Sequence, residues 1–381
     1  MGKRVVILGG GIGGLVVANR LCRGLAKGNE IVLVDKEKDH LFIPSLLWLM
    51  VGLRKKEQIQ KSLLLLQRKG IRVLNALVEK IDFASRTVVT STEHLSFDYL
   101  VIALGASTFP EKVPGFDEGA FDLYNLSGAE KIRNAIAGFQ GGRMTVLVSA
   151  VPFKCPAAPY EAALLLSSYF RETKREVDIE VITPEQLPMG VSGPEVGNMV
   201  VSLLQRSGIR FTPQRQVTEI HPKKREIAFQ DGTSLSYDFL IGIPPHGAPP
   251  ALKGSPVIGE SGWVQVNPRT LETNIENVYA LGDVTSIPLS MGKPLPKAGV
   301  FAHFQSEVVA HAIEAKMRGL IPKKEFEGKG SCFIELGGGR AGFASGDFYA
   351  VPRPVVHMKN PSRILHWKKL LFEKWWFWKW F

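Results

Sequence analysis

Residues 4–14 read Arg-Val-Val-Ile-Leu-Gly-Gly-Gly-Ile-Gly-Gly, a short β-branched run that ends in a glycine-rich turn. Helical periodicity follows, and a second strand-like run ends at Asp35, 21 residues after Gly14. Gly9, Gly11 and Gly14 fill the G-x-G-x-x-G pattern of a dinucleotide-binding β-α-β unit. Such glycines let a pyrophosphate approach the helix N-terminus, and the terminal carboxylate accepts hydrogen bonds from a ribose hydroxyl. The alternative is a glycine-rich turn that binds no ligand.

Similar strand patterns recur later in the chain. Residues 98–106 form a buried, parallel-type strand that closes in a turn of small residues around Gly105, and residues 237–243 repeat this pattern. A further strand ends in Gly282-Asp283 and precedes a proline-rich loop and a helix. The sequence therefore predicts two nucleotide-fold halves in an α/β protein. The alternative role for Asp283 is to interact with the dipole of the following helix, without binding a ligand.

The second half lacks a glycine fingerprint. After the predicted strand 144–149 the chain has Phe153, Lys154, Cys155 and three prolines, which would crowd a phosphate and remove N–H donors. The next strand ends at Thr183 where a ribose-binding carboxylate is expected. These features predict that NADH is not the electron donor.

The chain has three cysteines, too few for a disulfide framework, and it has no C-x-x-C zinc pattern. Cys155 precedes a helix that is predicted to begin near Pro159, where the helix dipole and Lys154 favour a thiolate. Cys332 follows 177 residues later, and sequence spacing alone does not pair the two. Cys22 lies among apolar neighbours in the first helix and is interpreted as a core residue.

Residues 155–161 read Cys-Pro-Ala-Ala-Pro-Tyr-Glu, and residues 328–332 read Gly-Lys-Gly-Ser-Cys. Together these motifs resemble sulfide:quinone oxidoreductases and the related flavin subunit of flavocytochrome c sulfide dehydrogenase, and the resemblance covers nearly the whole chain. It implies two Rossmann-like domains and an FAD cofactor. Asp283 resembles the aspartate that contacts the ribityl and pyrophosphate region of FAD in related disulfide reductases.

The resemblance also implies roles at the reacting centre. Cys155 and Cys332 would flank the flavin as the disulfide or polysulfide-bridged pair that sulfide attacks, with Glu161 as the acid/base. Lys297 would place positive charge near a reduced flavin, and Pro44 would lie against the ring. Each has a simpler alternative: Glu161 would serve the helix dipole, and each cysteine would be an isolated buried thiol. The residues predicted to bind FAD are Gly9, Gly11, Gly14, Asp35, Pro44, Gly105, Gly282, Asp283 and Lys297.

Two departures from these families bear on chemistry. Many sulfide:quinone oxidoreductases carry a third cysteine in the segment that corresponds to residues 109–142, which has none here. Residues 39–47 also lack the cysteine through which the flavocytochrome attaches FAD, so noncovalent FAD is expected. The product, polysulfide or elemental sulfur, is left open. Phe343 and Phe348 are the candidates for a quinone slot, with core packing as the alternative for each.

Much of the net positive charge and most of the tryptophans lie in the C-terminal tail. The 381 residues carry 47 Lys plus Arg against 36 Asp plus Glu, a net charge of +11, and residues 353–381 contribute +6 together with five of the seven tryptophans. Residues 363–381 are too charged to span a bilayer and too apolar for water, which predicts an in-plane membrane helix. Its apolar face comprises Ile364, Trp367, Leu371, Trp375 and Trp378. An oligomer interface is the alternative, and nucleic-acid binding is disfavoured because large apolar side chains outnumber the basic ones.

These observations define one prediction for the whole protein. The FAD-binding domain comprises residues 1–110 and 250–321, a second Rossmann-like domain comprises residues 111–249, and residues 322–381 form a segment that faces the membrane and binds quinone. We expect no metal and neither a secretion leader nor a transmembrane helix, since the first strand begins near Met1 and the apolar runs are short. The expected activity is oxidation of sulfide by a peripheral membrane protein with electrons passed through FAD to quinone. The alternatives are a type II NADH:quinone oxidoreductase and a thiol-based flavoprotein redox sensor.

Overall fold

A computed structural model describes residues 2–26 and 28–381 of the chain. The strands are, in chain order, β1 (Arg4–Leu8), β2 (Glu30–Asp35), β3 (Asp39–Leu41), β4 (Gln60–Ser62), β5 (Arg72–Asn75), β6 (Val78–Asp82), β7 (Thr87–Thr90), β8 (His94–Ser96), β9 (Tyr99–Ile102), β10 (Ser107–Thr108), β11 (Phe121–Asp122), β12 (Gly142–Val148), β13 (Val177–Ile182), β14 (Arg210–Thr212), β15 (Val217–His221), β16 (Glu226–Phe229), β17 (Ser234–Ser236), β18 (Phe239–Ile243), β19 (His246–Gly247), β20 (Val278–Ala280), β21 (Lys329–Gly337), β22 (Arg340–Asp347) and β23 (Val355–Ser362). The α-helices are α1 (Ile12–Gly24), α2 (Leu46–Met50), α3 (Lys56–Ile59), α4 (Phe116–Gly119), α5 (Leu126–Gly138), α6 (Ala158–Glu172), α7 (Pro194–Arg206), α8 (Gly299–Met317) and α9 (Arg363–Trp380).

The first parallel sheet has five strands in the order β20-β9-β1-β2-β5. β1 pairs with β2 in parallel, from Arg4 opposite Glu30 to Leu8 opposite Val34. Both strands are runs of buried aliphatic side chains, as expected for a parallel sheet that is covered on both faces. α1 leaves β1 through the glycine turn and packs against α8, so the turn lies at the carboxyl edge of the sheet.

The second parallel sheet also has five strands, in the order β11-β18-β12-β13-β14. β12 and β13 coincide to within one or two residues with the predicted strands 144–149 and 177–183, and they pair in parallel. α6 begins after the loop that follows β12, at the position where the first sheet has its glycine turn. Two parallel sheets therefore confirm the predicted α/β class with two nucleotide-fold halves.

The last part of the chain forms the antiparallel sheet β21-β22-β23 and then α9. The side chain of Ser362 caps α9 by accepting a hydrogen bond from the backbone N–H of Leu365 at 3.3 Å. One side of α9 belongs to the apolar core that also contains α1 and α8, which we call the first apolar core; Trp376 is 2% and Trp380 0% exposed. The predicted apolar face is exposed and comprises Ile364, Trp367, Leu371, Trp375 and Trp378.

α9 is thus a two-sided helix, which the sequence did not predict. Among the described residues, no helix is both long enough and apolar enough to cross a membrane. The mostly apolar stretch 41–53 contains the short helix α2, whose side chains are all buried.

Candidate functional site

The turn after β1 requires glycine at two positions and is open at a third. Gly9 has φ +102°, a left-handed conformation that side chains disfavour, and a Cβ there would lie 2.4 Å from the carbonyl oxygen of Ala103. At Gly14 a Cβ would lie 1.9 Å from the carbonyl oxygen of Gly9, which enforces close packing of helix and strand. A Cβ at Gly11 would meet nothing within 4 Å, so this face of the turn is open. The turn therefore offers space for a phosphate at the start of α1.

Asp35 ends β2 beside this turn, as the motif predicts. Its Oδ2 accepts a hydrogen bond from the backbone N–H of Gly10 at 2.5 Å, and its Oδ1 accepts one from Glu37 at 2.8 Å. Burial raises the pKa of Asp35, while these two backbone donors oppose the shift. The carboxylate is held in place by the backbone and retains lone pairs for a ribose hydroxyl.

Asp283 follows β20 and carries the strongest sign of a missing polar partner. Its Oδ1 is buried and makes no hydrogen bond with any residue that the structure describes. Burial raises the pKa of this carboxyl, and nearby Lys297 and Lys154 lower it. Gly282, with φ +75°, precedes it, and Gly105, with φ +69°, closes the turn after β9. An unpaired buried carboxylate oxygen fits a ligand that brings hydroxyl groups, as the ribityl chain of FAD does.

Lys297 contacts the turn that carries Asp283. The ammonium group of Lys297 donates to the carbonyl oxygens of Asp283 at 2.8 Å and Thr285 at 3.0 Å, and it lies 3.3 Å from the centroid of the Trp263 ring. Burial lowers its pKa to about 8, against the attraction of Asp283. Pro44 lies half-buried in a short 3₁₀ turn before α2. These contacts with carbonyl oxygens fix the direction of the Lys297 side chain, and that direction could not be predicted from the sequence.

Cys155 occupies the loop before α6 in a left-handed backbone conformation, with φ 50°. Its N–H donates to the carbonyl oxygen of Lys297 at 2.6 Å, which ties this loop to the segment leading into α8. Burial raises the pKa of the thiol well above its usual range, and neighbouring Cys332 and Glu161 add to the shift. The prediction that Lys154 and the helix dipole favour a thiolate is therefore wrong for the folded protein. The ammonium of Lys154 is itself buried and lies 5.6 Å from the centroid of the Tyr124 ring.

Cys332 lies on β21, opposite Ala344 of β22. Its thiol approaches the carbonyl oxygen of Phe333 at 3.3 Å, and burial raises its pKa to about 11. Both Cys155 and Cys332 are free thiols, and both line one cavity of about 590 Å³. The tertiary structure thus brings together two cysteines whose pairing sequence spacing left open.

The two candidate phenylalanines have different surroundings. Phe348 is 7% exposed, lines the same cavity and packs edge-on against Phe301 with the ring centroids 5.0 Å apart. Phe343 does not line the cavity; its ring lies 4.9 Å from that of Phe333 on the neighbouring strand. The structure brings Phe348 to the cysteines and leaves Phe343 in a pair on the sheet.

Glu161 lies in the first turn of α6 and is 3% exposed. Its carboxylate forms an ion pair with Lys369 of α9, which is 7% exposed. Glu335 of β21 lies 4.0 Å from the same ammonium and accepts a hydrogen bond from His366 at 2.9 Å. We call Glu161, Lys369, Glu335 and His366 the charged cluster. Burial raises the pKa of Glu161, whereas Lys369 opposes that rise.

Sequence reasoning found Glu161 and missed the other three members of the charged cluster. Lys369 and His366 lie three residues apart, on one side of α9, but nothing local says that this side meets α6 and β21. The helix dipole alone does not explain Glu161. Its buried ion pair is a stronger interaction than a contact between a first-turn carboxylate and the dipole. Cys22, predicted to be a core residue, packs half-buried against the first apolar core.

Comparisons with known proteins agree with this architecture. The family model for pyridine nucleotide-disulphide oxidoreductases matches residues 3–315. The mitochondrial sulfide:quinone oxidoreductase of Mus musculus is 28% identical over 363 residues, which cover 91% of this chain and 79% of the mouse protein. The sulfide-quinone reductase of Aquifex aeolicus is 27% identical, covering 100% of this chain and 91% of its own. The crystal structure of the Aquifex aeolicus sulfide:quinone oxidoreductase superposes with a TM-score of 0.88 at 25% identity, covering 99% of this chain and 91% of that chain.

Proposed function

The chain belongs to the pyridine nucleotide-disulphide oxidoreductase family, and from this premise we propose that it is an FAD-dependent enzyme that oxidises sulfide and passes the electrons to a quinone. The observation that carries the proposal is the meeting of Cys155 and Cys332 in one cavity. Cys155 lies in the loop after β12, where the second nucleotide fingerprint is missing. The similarity to sulfide:quinone oxidoreductases over nearly the full chain supports the same substrate and acceptor.

The residues of the first half fit FAD. The open face at Gly11 would receive the pyrophosphate, Asp35 a ribose hydroxyl and the unpaired oxygen of Asp283 the ribityl hydroxyls. When bound, FAD supplies a two-electron acceptor that can return the electrons to a quinone. Noncovalent binding is proposed because residues 39–47 hold no cysteine.

The protein's own residues account for the sulfur chemistry. Hydrosulfide attacks one sulfur of the proposed Cys155–Cys332 bridge; the old S–S bond breaks, and a new S–S bond forms. With Glu161 as the base, the products are a persulfide anion on one cysteine, a thiolate on the other and the hydrosulfide proton on Glu161, so charge and atoms balance. The carboxylate of Glu161 takes up the proton that the incoming sulfur gives up. In the bridged form neither cysteine carries a thiol, so the nucleophile of this step is the hydrosulfide.

The exposed side of α9 supports attachment to a membrane surface. Trp367 is 64%, Leu371 63% and Trp378 80% exposed, on a helix whose other side is fixed in the core. Tryptophans favour the headgroup region, and exposed lysines such as Lys374 can meet anionic lipid. We propose that this face docks in the bilayer interface, where membrane quinone is available.

Sulfide and NADH as alternative donors test the proposed function. We expect sulfide to bleach the oxidised flavin absorbance and to sustain continuous reduction of a soluble quinone, with NADH inactive at the same micromolar concentration. Bleaching by NADH and not by sulfide would instead identify a type II NADH:quinone oxidoreductase. A single reduction by sulfide without turnover would indicate a redox sensor.

Glu161→Gln is expected to lower sulfide-dependent turnover by about 10²- to 10⁴-fold, the usual contribution of a general acid/base. It also leaves Lys369 buried without a carboxylate partner, so stability is expected to fall as well. The double variant Glu161→Gln/Lys369→Met separates the two effects, because it removes both buried charges. Urea unfolding should show stability recovered in the double variant while turnover stays low. Turnover that recovers together with stability would leave Glu161 with a structural role only.

A further inference from the structure

We call the cavity lined by Cys155 and Cys332 the sulfur site. The charged cluster joins the C-terminal helix to α6 and to β21, the strand that carries Cys332. Lys369 lies 208 residues from Glu161 in sequence, yet its ammonium meets that carboxylate directly. The ammonium also faces Glu335 of β21 at 4.0 Å and the ring of Trp48 from α2, whose centroid is 4.8 Å away. The other cation over Trp48 is Arg54, at 4.6 Å, and it is paired with Glu373.

A buried lysine in this position has a large electrostatic effect on its partner. An isolated carboxyl in an apolar site holds its proton to high pH, while a cation within about 4 Å favours the carboxylate by one to three pH units. Glu161 and Lys369 are both almost fully buried, so solvent screens their attraction little. Glu335 acts in the opposite direction, since a second carboxylate raises the pKa of Glu161.

We propose that Lys369 is a positioning residue of the sulfur site, which holds Glu161 in place and in the carboxylate form that accepts a proton from the incoming sulfide. This inference rests on the proposed function, because that proton arises only if sulfide is the substrate. It assigns a task at the reacting centre to the same helix that presents the exposed apolar face. Burial by itself lowers the pKa of Lys369, but Glu161 and Glu335 more than offset this and keep the ammonium charged.

Infrared titration tests the ionisation of Glu161 without any turnover. The difference spectrum between the wild type and Glu161→Gln isolates the carboxyl band of Glu161. Lys369→Met is expected to raise the pH at which this carboxyl loses its proton by about one to three units. Lys369→Arg should stay close to the wild type, since it keeps the charge. Lys368→Met removes the same charge from an exposed neighbour on α9 and should cause no shift.

The pH profile of sulfide-dependent flavin reduction supplies the second readout. The carboxylate is the active form, so activity is lost as the pH falls through the pKa of Glu161. In Lys369→Met this acid limb should move to higher pH by the same amount as the infrared transition, and Lys369→Arg should restore it. A purely structural role for Lys369 would lower the amount of folded protein without moving the limb.

Glu335→Gln keeps the proposal falsifiable if Lys369→Met does not fold. It removes the competing carboxylate, so the Glu161 transition should move to lower pH, opposite to the shift in Lys369→Met. An unchanged Glu161 transition in either variant would overturn the proposal. An infrared shift in a protein that sulfide does not reduce would instead overturn the proposed function, leaving Lys369 as the counter-ion of Glu161.

Discussion

Replacing either Cys155 or Cys332 by serine is expected to lower sulfide-dependent quinone reduction by about 10⁴-fold or more, because the members of a covalent relay act as a unit. Both thiols line the same cavity of about 590 Å³, and a serine hydroxyl can form neither the bridge nor a persulfide. FAD should be retained, since the proposed cofactor contacts lie on other residues. The measurement is steady-state reduction of a soluble quinone, with flavin absorbance as the check on cofactor content.

Cys22→Ser is the matched control for this pair. Cys22 is half-buried in α1, packs against the first apolar core and is not among the residues that line the cavity. Its replacement should leave turnover near that of the wild type. Wild-type activity in Cys332→Ser would rule out the two-cysteine mechanism, and equal losses in all three variants would indicate a general effect of cysteine replacement.

Trp376→Ala is expected to cost about 3–5 kcal/mol of unfolding free energy, the range for truncating a buried tryptophan. Trp376 is 2% exposed, packs against Phe42 with ring centroids 5.8 Å apart, and donates from Nε1 to Nε2 of His40 at 3.0 Å. His40 in turn contacts the carbonyl oxygen of Gly10 through Nδ1 at 2.8 Å. Burial lowers the pKa of His40 to about 4, so the ring is neutral and suits one accepted and one donated hydrogen bond. Urea unfolding measures the loss.

Trp378→Ala, two residues away, should leave the unfolding free energy almost unchanged and should weaken membrane binding. Trp378 is 80% exposed, so its removal should change the unfolding free energy by no more than about 0.5 kcal/mol. It should weaken co-sedimentation with anionic liposomes, which the Trp376 variant should retain where it stays folded. Equal liposome binding by Trp378→Ala and the wild type would count against the proposed docking face.

Removing the whole of α9 would not isolate membrane attachment. Deleting residues 363–381 would remove Trp376 and Trp380 from the first core and leave Glu161 without Lys369. Such a deletion would confound membrane binding with folding and with the chemistry of the sulfur site. Substitutions on the exposed side alone separate these effects.

Local sequence patterns determined the framework of this protein. The β-α-β turn, its three glycines and Asp35 could be predicted because conformational demands and strand-to-helix spacing are properties of neighbouring residues. The missing second fingerprint followed from prolines that remove N–H donors, and the exposed face of α9 from helical periodicity. Each of these features depends on residues that are close to one another along the chain.

Only the tertiary structure decided the electrostatics and the pairing of distant residues. Adjacent charge predicted a thiolate at Cys155, but burial raises the pKa of that thiol, and sequence does not reveal how deeply a loop is buried. The meeting of Cys155 with Cys332, and of Glu161 with Lys369, depends on how α6, β21 and α9 pack against one another. The inward side of α9 was missed for the same reason, since an apolar side chain is equally suited to a protein core or a membrane surface. The packing of the folded chain, and not the local spacing, determines which apolar side chains of α9 lie in the core and which are exposed.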